Sequence, residues 1–136
     1  MIIAIDPGAA HVGWAVFEKG LCMRAVEYTP DGAAFLLESI LALETVETVV
    51  IEEFRLYSWK AQDQAFREML TSECIGALKW ICKKAEVPVV MQPASIQKPT
   101  AARLKAAGIK LTSRGQGPHA KSAELHGHFF LRHLLE

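Results

Sequence analysis

Residues 2–17 read IIAIDPGAAHVGWAVF, and this stretch decides what fold to expect. Residues 2–5 form a β-branched apolar run, which is typical of a buried strand. Pro and Gly at 7–8 turn the chain, and a second apolar run follows at 14–17. Leu21–Tyr28 alternates well enough to be a third strand. The chain is therefore predicted to open with an antiparallel three-stranded meander.

Helices alternate with strands in the rest of the chain. Three β-branched residues at 49–51 indicate a strand buried on both faces, as in a parallel sheet. The predicted elements are a helix over 33–43 capped by Asp31, a strand over 46–52, a helix over 59–85, a strand over 87–91, and helices over 100–107 and 119–135. This order predicts one α/β domain over residues 1–136, with a mixed five-stranded sheet flanked by helices.

The composition is that of a globular protein, with 51% hydrophobic and 22% charged residues among 136. No run approaches the roughly 18 apolar residues of a transmembrane helix, and the N-terminus reaches Asp6 too early for a signal peptide. Cys22, Cys74 and Cys82 are an odd set without the spacing of a metal site, which favours a reducing compartment. We therefore expect a cytoplasmic protein.

The charges are unevenly distributed although the net charge is zero. Residues 87–123 contain no Asp or Glu, and all 15 acids lie outside this segment. Its six basic residues, which we call the basic segment, are Lys98, Arg103, Lys105, Lys110, Arg114 and Lys121. Such a distribution fits either a phosphate-binding surface or a solvated surface loop, and charge alone does not separate the two.

Acidic residues follow two of the predicted buried strands. Asp6 ends the first strand, where a carboxylate is costly to bury unless a partner or a cation compensates it; a turn-forming Asp before Pro-Gly is the plainer interpretation. Glu52 and Glu53 end the fourth strand, and because side chains alternate, only one of them can face Asp6. If the first and fourth strands are neighbours, two carboxylates converge at the centre of the sheet.

The last predicted helix carries a third group of polar residues. His119 begins it, and Ser122 and His126 follow at i+3 and i+7 on the same helix face. A lone His at a helix start is usually a surface residue. Beside two carboxylates, however, an imidazole could complete a metal site.

Four short segments, taken in chain order, form a pattern that spans nearly the whole sequence. They are residues 3–16 with Asp6 and Gly13, 49–54 with Glu52, 87–100 with Lys98, and 119–124, which read HAKSAE. This pattern resembles the RuvC-like Holliday junction resolvases of the RNase H-like superfamily, and among them the phage-encoded members. In that family the closing motif begins with Asp or His and has Asp three residues later.

The resemblance implies a crossover junction endodeoxyribonuclease with an RNase H-like fold. Asp6, Glu52 and His119 would be the catalytic and metal-binding residues, with two Mg²⁺ or Mn²⁺ ions serving the attacking and leaving oxygens of an in-line hydrolysis. Members of the family leave 5′-phosphate ends and act as homodimers on four-way junctions in recombination and repair. A phage-encoded member would work in the cytoplasm of its bacterial host.

The same resemblance implies how branched DNA would be bound. The basic segment would contact phosphates. Arg55, Tyr57 and Trp59, just after the second acid, would pack on bases exposed at the crossover, although they could equally be core or interface residues.

Ser122 departs from the family pattern, because it stands where the family has its final carboxylate. A hydroxyl contributes no charge and is a weaker ligand for Mg²⁺. Glu124 lies about 200° around the helix from Ser122 and is a poor substitute. Either the site works with Asp6, Glu52, His119 and an outer Ser122, or the protein is a weakened or inactive form.

Two alternatives to a junction nuclease therefore stay open. One is a branched-DNA-binding protein without catalysis, and the other is a related RNase H-like nuclease that acts on RNA or single strands. A nucleotide-binding module is disfavoured, because the sequence has no glycine-rich phosphate loop.

Overall fold

A computed structural model of the protein describes residues 1–54 and 62–134. The elements are β1 Ile2–Asp6, β2 Val12–Glu18, β3 Leu21–Tyr28, α1 Pro30–Leu43, β4 Thr48–Glu52, α2 Gln62–Lys84, β5 Val89–Gln92, α3 Gln97–Ala106 and α4 Pro118–Leu134. A short 3₁₀ helix, Ala94–Ile96, precedes α3. The five strands form one mixed sheet in the order β3-β2-β1-β4-β5. In this sheet β2 is antiparallel to β1 and β3, whereas β4 is parallel to β1 and β5.

The predicted fold class and element order are confirmed, with small shifts at the boundaries. The cap of α1 is the exception: Thr29, not Asp31, is the N-cap, and its hydroxyl accepts the backbone N–H of Gly32. Pro30 occupies the first helical position, where its missing N–H costs nothing, so Asp31 falls inside the first turn. The part of the predicted second helix before Gln62 lies outside the described residues.

The two faces of the sheet build two separate cores, because side chains alternate along each strand. Ile3, Ile5, Val49 and Ile51 point to the face that packs against Leu37 of α1 and Leu78 of α2. Ile2, Ala4 and Val50 point to the opposite face, which α4 covers through Ala123. Asp6 and Glu52 continue this second set, so both carboxylates lie on the α4 side.

Small residues let α4 lie close to the sheet. Ala4, Ala15 and Ala25 are paired in register across β1, β2 and β3, and all three are buried beneath the helix. A Cβ at Gly127 of α4 would overlap the ring of Phe17. A Cβ at Gly13 of β2 would overlap the backbone carbonyl of His119 at the start of α4. This close approach fixes where α4 places its polar face.

Within the residues that the structure describes, no helix combines the length and the apolar composition that crossing a membrane requires.

Candidate metal centre

Two carboxylates meet where β1 and β4 end. Ile5 and Ile51 are partners in the parallel pairing of these strands, so Asp6 and Glu52 follow one residue later at matching positions. Residues in register on neighbouring parallel strands point to the same face and lie about 5 Å apart along the hydrogen-bonding direction. β1 and β4 are neighbours, which is the condition under which the sequence predicts that the two acids converge.

Glu53 lies outside this arrangement. Its side chain is exposed, and its backbone N–H donates to the carbonyl of Gln92, which extends the pairing of β4 with β5 by one residue. Because β4 stays regular through Glu52, alternation turns Glu53 away from Asp6. Of the two consecutive glutamates, Glu52 is the one beside Asp6.

The start of α4 brings His119 to Asp6. His119 Nδ1 lies 3.0 Å from Asp6 Oδ2, and the His119 side chain is partly exposed. Glu27 of β3 accepts the backbone N–H of His119 at 2.8 Å and so caps the helix from 92 residues away. A Cβ at Gly117 would crowd the Glu27 carboxylate, so this capping contact depends on a glycine there. The sequence does not reveal the role of Glu27, since capping residues are normally sought beside the helix.

Burial and hydrogen bonding shift the pKa values of both members of the Asp6–His119 pair. Burial raises the pKa of Asp6, and the neighbouring Glu52 charge raises it further, while hydrogen bonds from His119 and Ser122 oppose the rise. The hydrogen bond with Asp6 raises the pKa of His119 above its ordinary value. Burial of Asp6 and the carboxylates around His119 account for the signs of the two shifts.

One oxygen of Glu52 receives three hydrogen bonds. Gln97 Nε2 donates to Oε2 at 2.6 Å, Ser122 Oγ donates at 3.0 Å, and His126 Nε2 lies 2.7 Å from the same oxygen. We call Gln97, Ser122 and His126 the Glu52 cage. Burial alone raises the pKa of Glu52, but the contact with His126 and the hydrogen bonds from Ser122 and Gln97 outweigh it and hold that pKa below its ordinary value.

His126 and Gln92 were not predicted as site residues. His126 is fully buried on α4, and Gln92 at the end of β5 donates from its amide nitrogen to His126 Nδ1 and to the His126 carbonyl, both at 3.0 Å. The i+7 spacing from His119 places His126 on the correct helix face. The contact with Gln92 depends on the position of β5, which no local pattern gives.

The donor set fits a hard divalent cation in part. Carboxylate oxygens are what Mg²⁺ and Mn²⁺ prefer, and such ions keep several waters, so two carboxylates with water and phosphate oxygen form a sufficient set. In the described part of the chain, however, no group of three His, Cys, Asp or Glu side chains has converged as metal ligands. Asp6 pairs with His119 Nδ1 and Glu52 pairs with its cage. His119 could therefore ligate an ion through Nδ1 only if the Asp6–His119 hydrogen bond broke.

The basic segment lies along α3, the loop that follows it and the first turn of α4, and two of its members, Lys98 and Lys121, adjoin Gln97 and Ser122 of this centre in the sequence. All six of its side chains are exposed, and none forms an ion pair with an acid in residues 1–54 or 62–134. A cavity of about 480 Å³ lies in the loop and is lined by Lys110, Leu111, Ser113, Arg114, Gly115, Gly117, Pro118 and Lys121. The segment therefore presents uncompensated positive charge to solvent.

Glu124 fixes this loop to α4. It is fully buried, and its two oxygens accept the backbone N–H groups of Thr112 and Ser113 at 2.9 and 2.7 Å, with His128 Nε2 at 3.4 Å. Burial opposes ionisation, but these hydrogen bonds outweigh it and lower the pKa of Glu124 from 4.5 to about 2. The prediction that Glu124 points away from the metal site is consistent with these contacts.

The lowered pKa of Glu124 gives a prediction for stability. Its ionised form stabilises the fold above the ordinary pKa of 4.5, and this contribution is lost as pH falls toward 2. Glu124→Gln should therefore lower the free energy of unfolding at pH 7 by about 3 kcal/mol, and the difference from the wild type should shrink below pH 4.5. Thermal melts from pH 3 to pH 7 measure this difference. Glu38→Gln, at an exposed position on α1, should change stability by less than about 0.5 kcal/mol at every pH.

Arg55, Tyr57 and Trp59, which are predicted to contact bases, lie outside the described residues.

Comparisons with known proteins identify the fold. No family model and no curated protein matches the sequence. Among solved structures, Thermus thermophilus RuvC in complex with a Holliday junction substrate matches with 18% identity and a TM-score of 0.70, over 98% of this chain and 94% of that chain. A second Thermus thermophilus RuvC structure matches with 18% identity and a TM-score of 0.60, over 98% and 95%. At this identity the likeness establishes the RNase H-like fold of RuvC over nearly the whole chain.

Proposed function

We propose that this chain is a metal-dependent, structure-selective endonuclease that cuts branched DNA such as Holliday junctions. The observation that carries the proposal is the pair Asp6 and Glu52, in register at the ends of neighbouring parallel strands and faced by the polar side of α4. Repulsion between two partly buried carboxylates raises the free energy of the folded state and gives the fold no benefit. The same pair of negative charges would attract and bind a cation. The likeness to a RuvC solved with a Holliday junction favours branched DNA as the substrate.

Asp6 and Glu52 would hold Mg²⁺ or Mn²⁺, with His119 as a further ligand or as the hydrogen-bond partner of Asp6. The ion, or two ions as the family resemblance implies, would activate water and stabilise the leaving oxygen of an in-line phosphodiester hydrolysis. The protein would orient Asp6 through His119 and Glu52 through its cage. Cleavage would leave 5′-phosphate and 3′-hydroxyl ends.

The basic segment would bind the phosphates of the junction arms, and Arg55, Tyr57 and Trp59 would contact bases near the crossover. Two active sites acting on a two-fold symmetric junction favour a homodimer. We propose that residues 1–136 act as one nuclease domain, of a phage-encoded type working in the cytoplasm of a bacterial host. Its place would be in DNA recombination or repair.

A cleavage assay with defined substrates tests the proposed function. Purified protein with Mg²⁺ or Mn²⁺ should nick a mobile four-way junction in preference to a linear duplex of the same arm sequence, and chelation by EDTA should stop it. Labelling the 5′ ends of the products distinguishes 5′-phosphate from 5′-hydroxyl. Equal cutting of junction and duplex, or cutting of RNA and single strands alone, would contradict the proposal.

The salt dependence of binding tests the role of the basic segment. Replacing Lys110, Arg114 and Lys121 with Ala should weaken junction binding and reduce the slope of log K against log salt by up to about 0.9 for each phosphate that the variant no longer neutralises. The matched control replaces Lys79, Lys83 and Lys84 with Ala, which removes the same charge from α2. An equal change of slope in both triple variants would mean that junction binding depends on the net charge of the protein and not on the basic segment.

A second candidate function is junction binding without catalysis. The neutral Ser122, at the position of a family carboxylate, is the observation that favours it. It predicts that the wild-type protein binds junctions but does not cut them with either metal.

A further inference from the structure

We propose that Ser122 and His126 are positioning residues that hold one oxygen of Glu52, so that the site is built for two carboxylates and is not a three-carboxylate site that lost a member. This inference rests on the proposed function, because it concerns how the same site presents Glu52 to a metal ion. It assigns a role to Ser122 that differs from that of the acid at the corresponding family position.

The two oxygens of Glu52 differ in the hydrogen bonds that they accept. Oε2 already faces Gln97, Ser122 and His126 at 2.6, 3.0 and 2.7 Å, and no hydrogen bond in the described structure involves Oε1. A carboxylate oxygen offers two lone pairs, so three donors leave Oε2 without capacity for a ligand. Oε1 is therefore the oxygen of Glu52 that remains for an ion.

Gln92 fixes the direction of the hydrogen bond from His126. The same Gln92 nitrogen contacts both the His126 carbonyl and His126 Nδ1. A carbonyl only accepts, so this atom must be the NH₂ of Gln92, and its second hydrogen points at Nδ1. Nδ1 therefore accepts, and the ring hydrogen lies on Nε2, where it is donated to Glu52. Gln92 therefore donates to His126, and His126 in turn donates to Glu52.

A carboxylate at position 122 would meet an oxygen that other residues already hold. Ser122 is 5% exposed, and its hydroxyl donates to Glu52 Oε2 at 3.0 Å while Asp6 is a second hydrogen-bond partner beside it. An Asp there would remove this donor and place a second negative charge against the oxygen that Gln97 and His126 contact. Two negative charges within hydrogen-bonding distance of each other repel strongly when they are partly buried. Ser122→Asp should therefore loosen Glu52 and not complete a metal site.

Manganese binding to the whole protein, followed by electron paramagnetic resonance without DNA, tests the proposal with a readout other than cleavage. Ser122→Ala and His126→Leu should each weaken Mn²⁺ binding by about tenfold or more, as removal of an outer partner of a ligand usually does. His126→Gln keeps an N–H near the Nε2 position and should recover part of the affinity. Ser122→Asp should bind Mn²⁺ no more tightly than the wild type and should cleave junctions no faster.

If Ser122→Asp tightens Mn²⁺ binding and raises or restores cleavage, position 122 is a vacant ligand position and the proposal is overturned. Equal Mn²⁺ affinity of His126→Gln and His126→Leu, both folded by circular dichroism, would overturn the positioning role of His126.

Nitrogen-15 chemical shifts of the His126 ring separate failure of this inference from failure of the proposed function. The inference predicts a protonated Nε2 and an accepting Nδ1 in the metal-free wild-type protein. If that tautomer is observed in a protein that does not cut junctions, the result supports the Glu52 cage and contradicts the proposed nuclease function. Observing the opposite tautomer would overturn the cage even in an active nuclease.

Discussion

Replacing Asp6 with Asn should lower junction cleavage by at least about 10³-fold, which corresponds to about 4 kcal/mol of transition-state stabilisation, while junction binding stays near the wild-type level. The amide has the shape of the carboxyl group and still offers an oxygen to His119, but it removes one of the two carboxylates that would bind a cation at the candidate metal centre. Folding should not suffer, because burial and the Glu52 charge already disfavour ionised Asp6. Rates on a four-way junction and binding measured in Ca²⁺ or EDTA check both parts.

Glu53→Gln is the matched control for Asp6→Asn. It also removes one negative charge beside a strand end, but from an exposed side chain that points away from Asp6. Its cleavage rate should stay within about threefold of the wild type, since exposed substitutions away from the site change little. Cleavage that survives Asp6→Asn, or that is abolished equally by Glu53→Gln, would contradict the assignment of the metal centre.

Replacing Gly13 with Ala should destabilise the protein by about 3 kcal/mol, at the upper end of the usual cost of overpacking, and should also impair cleavage. The added Cβ overlaps the carbonyl group of His119, which is backbone and cannot rotate away as a side chain can. Relief requires that α4 move from β2, and this movement would carry His119 away from Asp6 and Ser122 away from Glu52. Thermal melts and junction cleavage measure the two effects.

Gly76→Ala provides the comparison, because nothing lies within 4 Å of a Cβ built on that exposed glycine of α2. Helix propensity alone should stabilise this variant by about 0.5–1 kcal/mol. If Gly13→Ala is as stable and active as the wild type, α4 does not rest directly on β2, and the geometry of the candidate centre would need revision.

The fold was predictable because its periodic signals are local and strong. Hydrophobic spacing predicts the opening meander, the buried strand around residues 49–51 and the last helix, α4. The prediction that Asp31 is the N-cap of α1 is wrong. Thr29 and Asp31 are both residue types that cap helices well, and Thr29 is the cap because Pro30 occupies the first helical position.

The candidate centre was predictable only in part. Asp6, Glu52 and the face of α4 that carries His119 and Ser122 follow from strand ends and helix spacing. The partners that orient them do not, because Glu27, Gln92 and Gln97 come from three other elements and have no motif. Their roles appear once the sheet order places β3 and β5 on either side.

The sequence by itself determined the opening meander, the α/β order, the two acids at strand ends and the polar face of the last helix. Each of these is a local pattern, set by alternation along a strand or by 3.6 residues per helical turn. Only the tertiary structure decided that Ser122 donates to Glu52 and that the buried His126 contacts the same carboxylate. It also decided that Glu124 accepts hydrogen bonds from the loop between α3 and α4. Those contacts join residues 11 to 74 positions apart. They depend on how closely α4 packs on the sheet, which Gly13 and the row of alanines permit.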